Sequence, residues 1–174
     1  ANPTAAHPVT GAKLQQKAMK GTTTSVIDPR ETERARYATH FLQLRPGTNV
    51  ALLNMMLYYI IEEGLDDSDF IEPRTEGYED FKRQILSVDI DKMEELTGVP
   101  REQVRAAAMD YAKSKAAMSF HGLGVTEHSQ GTFTVMLIAD LAMITGNVGK
   151  PGCGVNPLRG QNNVQGMADM GIQP

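Results

Sequence analysis

At 174 residues, with 17 Lys and Arg against 21 Asp and Glu for a net charge of −4, the chain has the length of one ordinary domain and lacks the basic surplus of a general nucleic-acid binder. A single cysteine, Cys153, excludes an internal disulfide and any zinc or iron–sulfur site built from cysteines of this chain alone, and points to a reducing compartment. The longest apolar run, Val50 to Ile61, is broken by Asn54 and falls short of the about 20 residues that span a bilayer, and residues 1–20 lack the basic-then-apolar layout of a secretory signal.

Residues 9–20 (VTGAKLQQKAMK) place Ala12, Leu14 and Ala18 at helical spacing, with Lys20 at the end and Gly21 beyond it, which predicts a helix. The β-branched, uncharged run TTTSVI predicts a short buried strand over residues 22–28, stopped by Pro29. A helical turn at 30–37 and a second strand at 40–45, ended by Pro46-Gly47, follow. Thr48 is the expected cap of a helix over 49–63 that is apolar on nearly every face and therefore buried on several sides. Short helices are predicted at 67–70, 78–86 and 89–96. Pro100 opens a longer one to Lys115, whose Val104, Ala107, Ala108, Tyr111 and Ala112 share a stripe. A further strand, AAMSFH at 116–121, runs into Gly122-Leu123-Gly124, and a helix over 130–144 ends at Gly146-Asn147. Helices alternating with short uncharged strands give an α/β layer architecture with a mostly parallel sheet. Residues 1–150 form this domain. Asn2-Pro3-Thr4-Ala5-Ala6-His7-Pro8 reads as the loop after a strand that lies before Ala1, so the chain is expected to be a piece of something longer. Residues 151–174 form a glycine- and amide-rich tail that leads into the next domain.

In open parallel sheets, ligands lie beyond the carboxyl ends of the strands. Asp28-Pro29-Arg30 could there offer a ribose acceptor and a phosphate or base contact, or could be a solvated Asx-Pro turn. Pro46-Gly47-Thr48-Asn49 could present backbone N–H groups to a phosphate, or be a capped turn. Gly122-Leu123-Gly124 is half of a nucleotide-loop pattern, since the full GxGxxG spacing is absent. Glu127 and His128 near the next helix start are each as readily a cap or a surface residue. The densest polar stretch, NPLRGQNNVQG at 156–166, can bond purine- or pterin-like edges through its amides and clamp an anion through Arg159, or can be a surface loop.

DPR at 28–30, RPGTNVALLN at 45–54, GLGVTEHSQGT at 122–132, ITGNVGKPGCGVNPLRGQNNVQG at 144–166 and ADMG at 168–171 together resemble the catalytic (alpha) subunit of molybdenum- or tungsten-dependent formate dehydrogenases, and GLGVTEHSQGT is most similar to the cytoplasmic, NAD-linked members. The resemblance implies the Rossmann-like dinucleotide-binding domain of the formate dehydrogenase/DMSO reductase superfamily. It also implies a bis-molybdopterin guanine dinucleotide cofactor carrying Mo or W, and oxidation of formate to carbon dioxide. Position by position, it implies cofactor contacts at Asn2, Asp28, Arg30, Gly47, Asn49, Gly122, Leu123, Gly124, Glu127 and Gln161, and a formate-orienting role for Arg159. The family's metal-ligating Cys or selenocysteine, its neighbouring His and the [4Fe–4S] ligands precede the matched region, so no metal ligand is expected in this chain. Met167-Ala168 stands where a small residue and Cys are common before the DMG. The implied partners are formate and carbon dioxide, the remaining domains of the subunit and electron-transfer subunits, with no nucleic acid and no membrane span. The isolated piece is expected to be inactive. The other readings are a stand-alone nucleotide-binding module, and a domain of another molybdopterin oxidoreductase such as a nitrate reductase.

Overall fold

Proline in the first turn, where its missing N–H costs nothing, starts both opening helices of the computed structural model, which describes residues 2–172: α1 (Pro3–Ala6) and α2 (Pro8–Met19). The predicted strand at 22–28 shortens to β1 (Ser25–Ile27), and its side chains are half-exposed or exposed rather than buried. The reason is its position. β1 pairs in parallel with β2 (His40–Leu42) alone, Ser25 opposite His40 and Ile27 opposite Leu42. A 3-10 turn over Glu33–Tyr37 connects the two.

The apolar run forms α3 (Asn49–Glu62), with Leu52, Met55, Leu57 and Ile60 fully buried. Thr48 does not cap it. Gly47, at φ +84°, turns the chain so that the Thr48 hydroxyl donates back to the Arg45 carbonyl at 2.6 Å. The helical pieces α4 (Ser68–Ile71), α5 (Tyr78–Leu86) and α6 (Ile90–Thr97) follow, α4 and α6 capped by Asp67 and Asp89. In α7 (Arg101–Lys113) Pro100 stands at the cap rather than at the first helical position. The predicted stripe is present: Val104, Ala107 and Ala108 have no exposed surface, and Tyr111 and Ala112 pack beside them.

The second sheet begins with β3 (Met118–His121) and the one-turn helix α8 (Leu123–Thr126). After α9 (Gly131–Ile144) the chain forms β4 (Gly154–Pro157), which pairs in parallel with β3, His121 opposite Pro157. The sequence reading places no strand there. Last is α10 (Val164–Asp169). α3 is the hub, packed on α5, α6, α7 and α9. Asn147, fully buried, ties the second sheet to the end of α9: its amide donates to Thr145 Oγ1 at 2.8 Å, while its oxygen accepts from the Ala117 N–H at 2.9 Å and from Cys153 Sγ at 3.2 Å. The molecule is thus an α/β fold with short parallel strand pairs flanked by helices. No helix among the described residues is long and apolar enough to cross a membrane.

Candidate functional site

Parallel pairing sends both strands of a sheet toward the same edge, so the loops after β1 and β2 lie together, as do those after β3 and β4. Beyond β1, Asp28 accepts the Arg30 N–H on Oδ1 at 2.9 Å. This closes an Asx turn that uses one of the two carboxylate oxygens and leaves the Arg30 side chain exposed. Gln43, one residue past β2, donates to the Pro29 carbonyl at 3.1 Å and joins the two loops. Gly47 has no atom within 4 Å of where a Cβ would stand, so space is open above the start of α3, where Asn49 is half-buried.

Beyond β3 and β4, the Leu158 N–H donates to the His121 carbonyl at 2.7 Å and continues the strand pairing by one bond. Gly122 is buried, whereas Leu123, Gly124 and Glu127 are exposed on and after α8. Arg159 and Gln161 are exposed in the loop that precedes α10. Asn163, at φ +52°, ends that loop and caps α10 by accepting the Gly166 N–H at 3.3 Å.

Residues 2–7 bridge the two loop pairs. The Asn2 amide donates to Glu33 Oε2 at 3.4 Å, on the turn after β1, and His7 Nε2 bonds the Arg159 carbonyl at 2.8 Å, after β4. Backbone bonding and then Asn2 hold the Glu33 carboxyl below its usual range. Among the described residues, three buried polar atoms remain without a partner: Asn2 Oδ1, His7 Nδ1 and His121 Nδ1. Burial, and then the charge of Arg159, hold the His121 imidazole below its ordinary pKa, so its ring is neutral beside the guanidinium. Unsatisfied buried polar atoms are uncommon in folded proteins, so each of these three calls for a partner, water or ligand, beyond the described residues.

The structure therefore joins Asn2 and Arg159 through one short segment and sets Gly122 directly after His121. Asp28 and Arg30 lie on the loop that runs on to Glu33. Gly47 and Asn49 sit at the first sheet's edge with no hydrogen bond to the others among the described residues. His7 and His121 are the members that sequence reasoning missed. His121 had a legible signal, being the polar end of an apolar strand just before a Gly-x-Gly. A groove of about 420 Å³ between β2 and α7, lined by His40, Phe41, Glu102 and Ala106 among others, contains none of the predicted residues.

Comparison with known proteins completes the picture. The family described as Molybdopterin oxidoreductase matches residues 1–173. The chain is 44% identical over 173 residues to formate dehydrogenase H of Escherichia coli, covering 99% of this chain and 24% of that protein. It is 45% identical over 168 residues to F420-dependent formate dehydrogenase 1 subunit alpha of Methanococcus maripaludis, covering 97% and 25%. It thus spans about a quarter of the length of these relatives. Among solved structures, acetylene hydratase from Pelobacter acetylenicus superposes with a TM-score of 0.73 at 29% identity, over 81% of this chain and 19% of that one.

Proposed function

The chain belongs to the molybdopterin oxidoreductase family, and from that premise we propose that it is the part of a formate dehydrogenase alpha subunit that holds one side of a bis-molybdopterin guanine dinucleotide cofactor and orients formate through Arg159. Family membership alone leaves the reaction open, since the structural neighbour is named a hydratase. The observation that carries the reading is the placement of Arg159: an exposed guanidinium at the carboxyl end of β4, with the peptides on either side of it hydrogen-bonded to His121 and His7.

The residues present suit such a cofactor. Asn2 brings an unpartnered buried oxygen, Gly47 leaves open space, Asp28 has a carboxylate oxygen outside its turn, and Asn49, Arg30, Gly122, Leu123, Gly124, Glu127 and Gln161 stand on the loops and helix starts that follow the four strands. When bound, the molybdenum or tungsten centre would accept the two electrons released from formate. This chain's own contribution is binding and orientation. The planar fork of Arg159 pairs both carboxylate oxygens of a one-carbon acid, which fixes the direction of the C–H bond. The neutral His121 ring beside it adds no competing positive charge.

In the same reading residues 1–150 form the dinucleotide-binding domain and 151–174 lead into the next. The [4Fe–4S] cluster and electron-transfer subunits, NAD-linked and cytoplasmic, belong to the parent protein. The test is Arg159→Lys in the intact subunit. An ammonium cannot make the two-point contact, so kcat/KM for formate should fall roughly 10- to 100-fold, the worth of one or two charge-assisted hydrogen bonds. Unchanged kinetics would refute Arg159 as the clamp.

A further inference from the structure

Arg159 sits in a stretch with little of its own to hold it. Pro157 precedes it by two residues and lacks an N–H, Gly160 follows it with open space around its Cα, and the guanidinium is exposed. Among the described residues, the backbone between the Leu158 N–H, which bonds the His121 carbonyl, and the Asn163 cap of α10 makes one further hydrogen bond to the rest of the chain. That bond is His7 to the Arg159 carbonyl, at 2.8 Å.

We propose that His7 is a positioning residue for Arg159: its ring fixes the Arg159 peptide and so sets where the guanidinium meets the substrate. A carbonyl oxygen only accepts, so Nε2 carries the hydrogen, and Nδ1 is buried and unpartnered among the described residues. The ring is held from below. Pro8 starts α2 directly after it, and Pro3 starts α1 before it, with the His7 N–H bonded to the Pro3 carbonyl at 3.0 Å and the Gly11 N–H to the His7 carbonyl at 2.8 Å. A backbone fixed on both sides lets a single donor locate a loop that otherwise samples many conformations.

The inference rests on Arg159 being the formate clamp, and the variants separate the two. In the intact, cofactor-loaded subunit, His7→Ala should lower kcat/KM for formate about tenfold, carried mainly by KM, with metal and pterin content unchanged. His7→Gln keeps an N–H donor at similar reach and should recover to within about threefold of the parent. In an Arg159→Lys background, His7→Ala should add less than about twofold, because the residue it positions is already gone. A normal KM in His7→Ala alongside an impaired Arg159→Lys overturns the positioning role and leaves the clamp intact. An equal loss in both backgrounds, failed rescue by glutamine, or lost cofactor also overturns it. An Arg159→Lys enzyme with unchanged kinetics overturns both.

Discussion

His121 combines burial at a strand end with a neighbouring guanidinium, and both disfavour its protonation. The unfolded chain binds that proton more readily, near the ordinary histidine value of about 6.5, so folded stability falls as pH drops below that value and continues to fall until the folded pKa is reached. His121→Leu should flatten this acid-side decline in melting temperature between pH 7 and pH 5. Parallel curves for the two proteins would show that the ring does not titrate as described. At this scale Arg159 and Asn2 stand out as candidates in the sequence, because each lies in a distinctive string of polar and turn residues. His7 was not, since its contact is a backbone carbonyl 152 residues further along the chain, and no local pattern encodes a bond of that span.

Among the elements, α3 was readable because an apolar residue on every face has one physical outcome, burial on several sides. β4 was hidden because Gly154 and Pro157 argue against a strand locally, and its existence depends on pairing with β3. Gly146-Asn147 read as a helix stop, and the structure adds the fully buried amide that binds β3 and the approach to β4 to the end of α9. The joint between α1 and α2 was likewise invisible. Gly11 is buried there, and a Cβ would stand 2.8 Å from the Pro3 carbonyl oxygen and 2.9 Å from Thr4 Cα. Helix propensity alone would make Gly11→Ala stabilising by up to about 1 kcal/mol. Overpacking against backbone should win instead, lowering the stability of the intact subunit by about 1–3 kcal/mol in a denaturant titration. A stabilised variant would mean that α1 can move aside freely.

For the whole molecule, the α/β class and the parallel direction of the strands were legible from the alternation of elements, whereas the division into two separate pairs was not, because pairing partners are a long-range property. Among the described residues β1 and β3 are each paired on one edge only. Parallel sheets are ordinarily covered on both faces, so we expect the open edges of β1 and β3 to be covered in the intact subunit. Amide exchange across Ser25–Ile27 and Met118–His121 should then be as slow there as in α3. Rapid exchange in either strand would mean that its second edge stays open.

The bond between His7 and Arg159 also has a consequence for biosynthesis. A ribosome makes the amino end first, so the imidazole waits, its partner not yet translated, until nearly the whole of this chain has emerged. The loops beyond β1 and β2 can form before that moment, but the Arg159 peptide is held only when the late loop returns to the joint between α1 and α2. A nascent or truncated product that ends before residue 159 can therefore build the first strand pair, yet its His7 ring lacks the carbonyl it bonds in the finished chain.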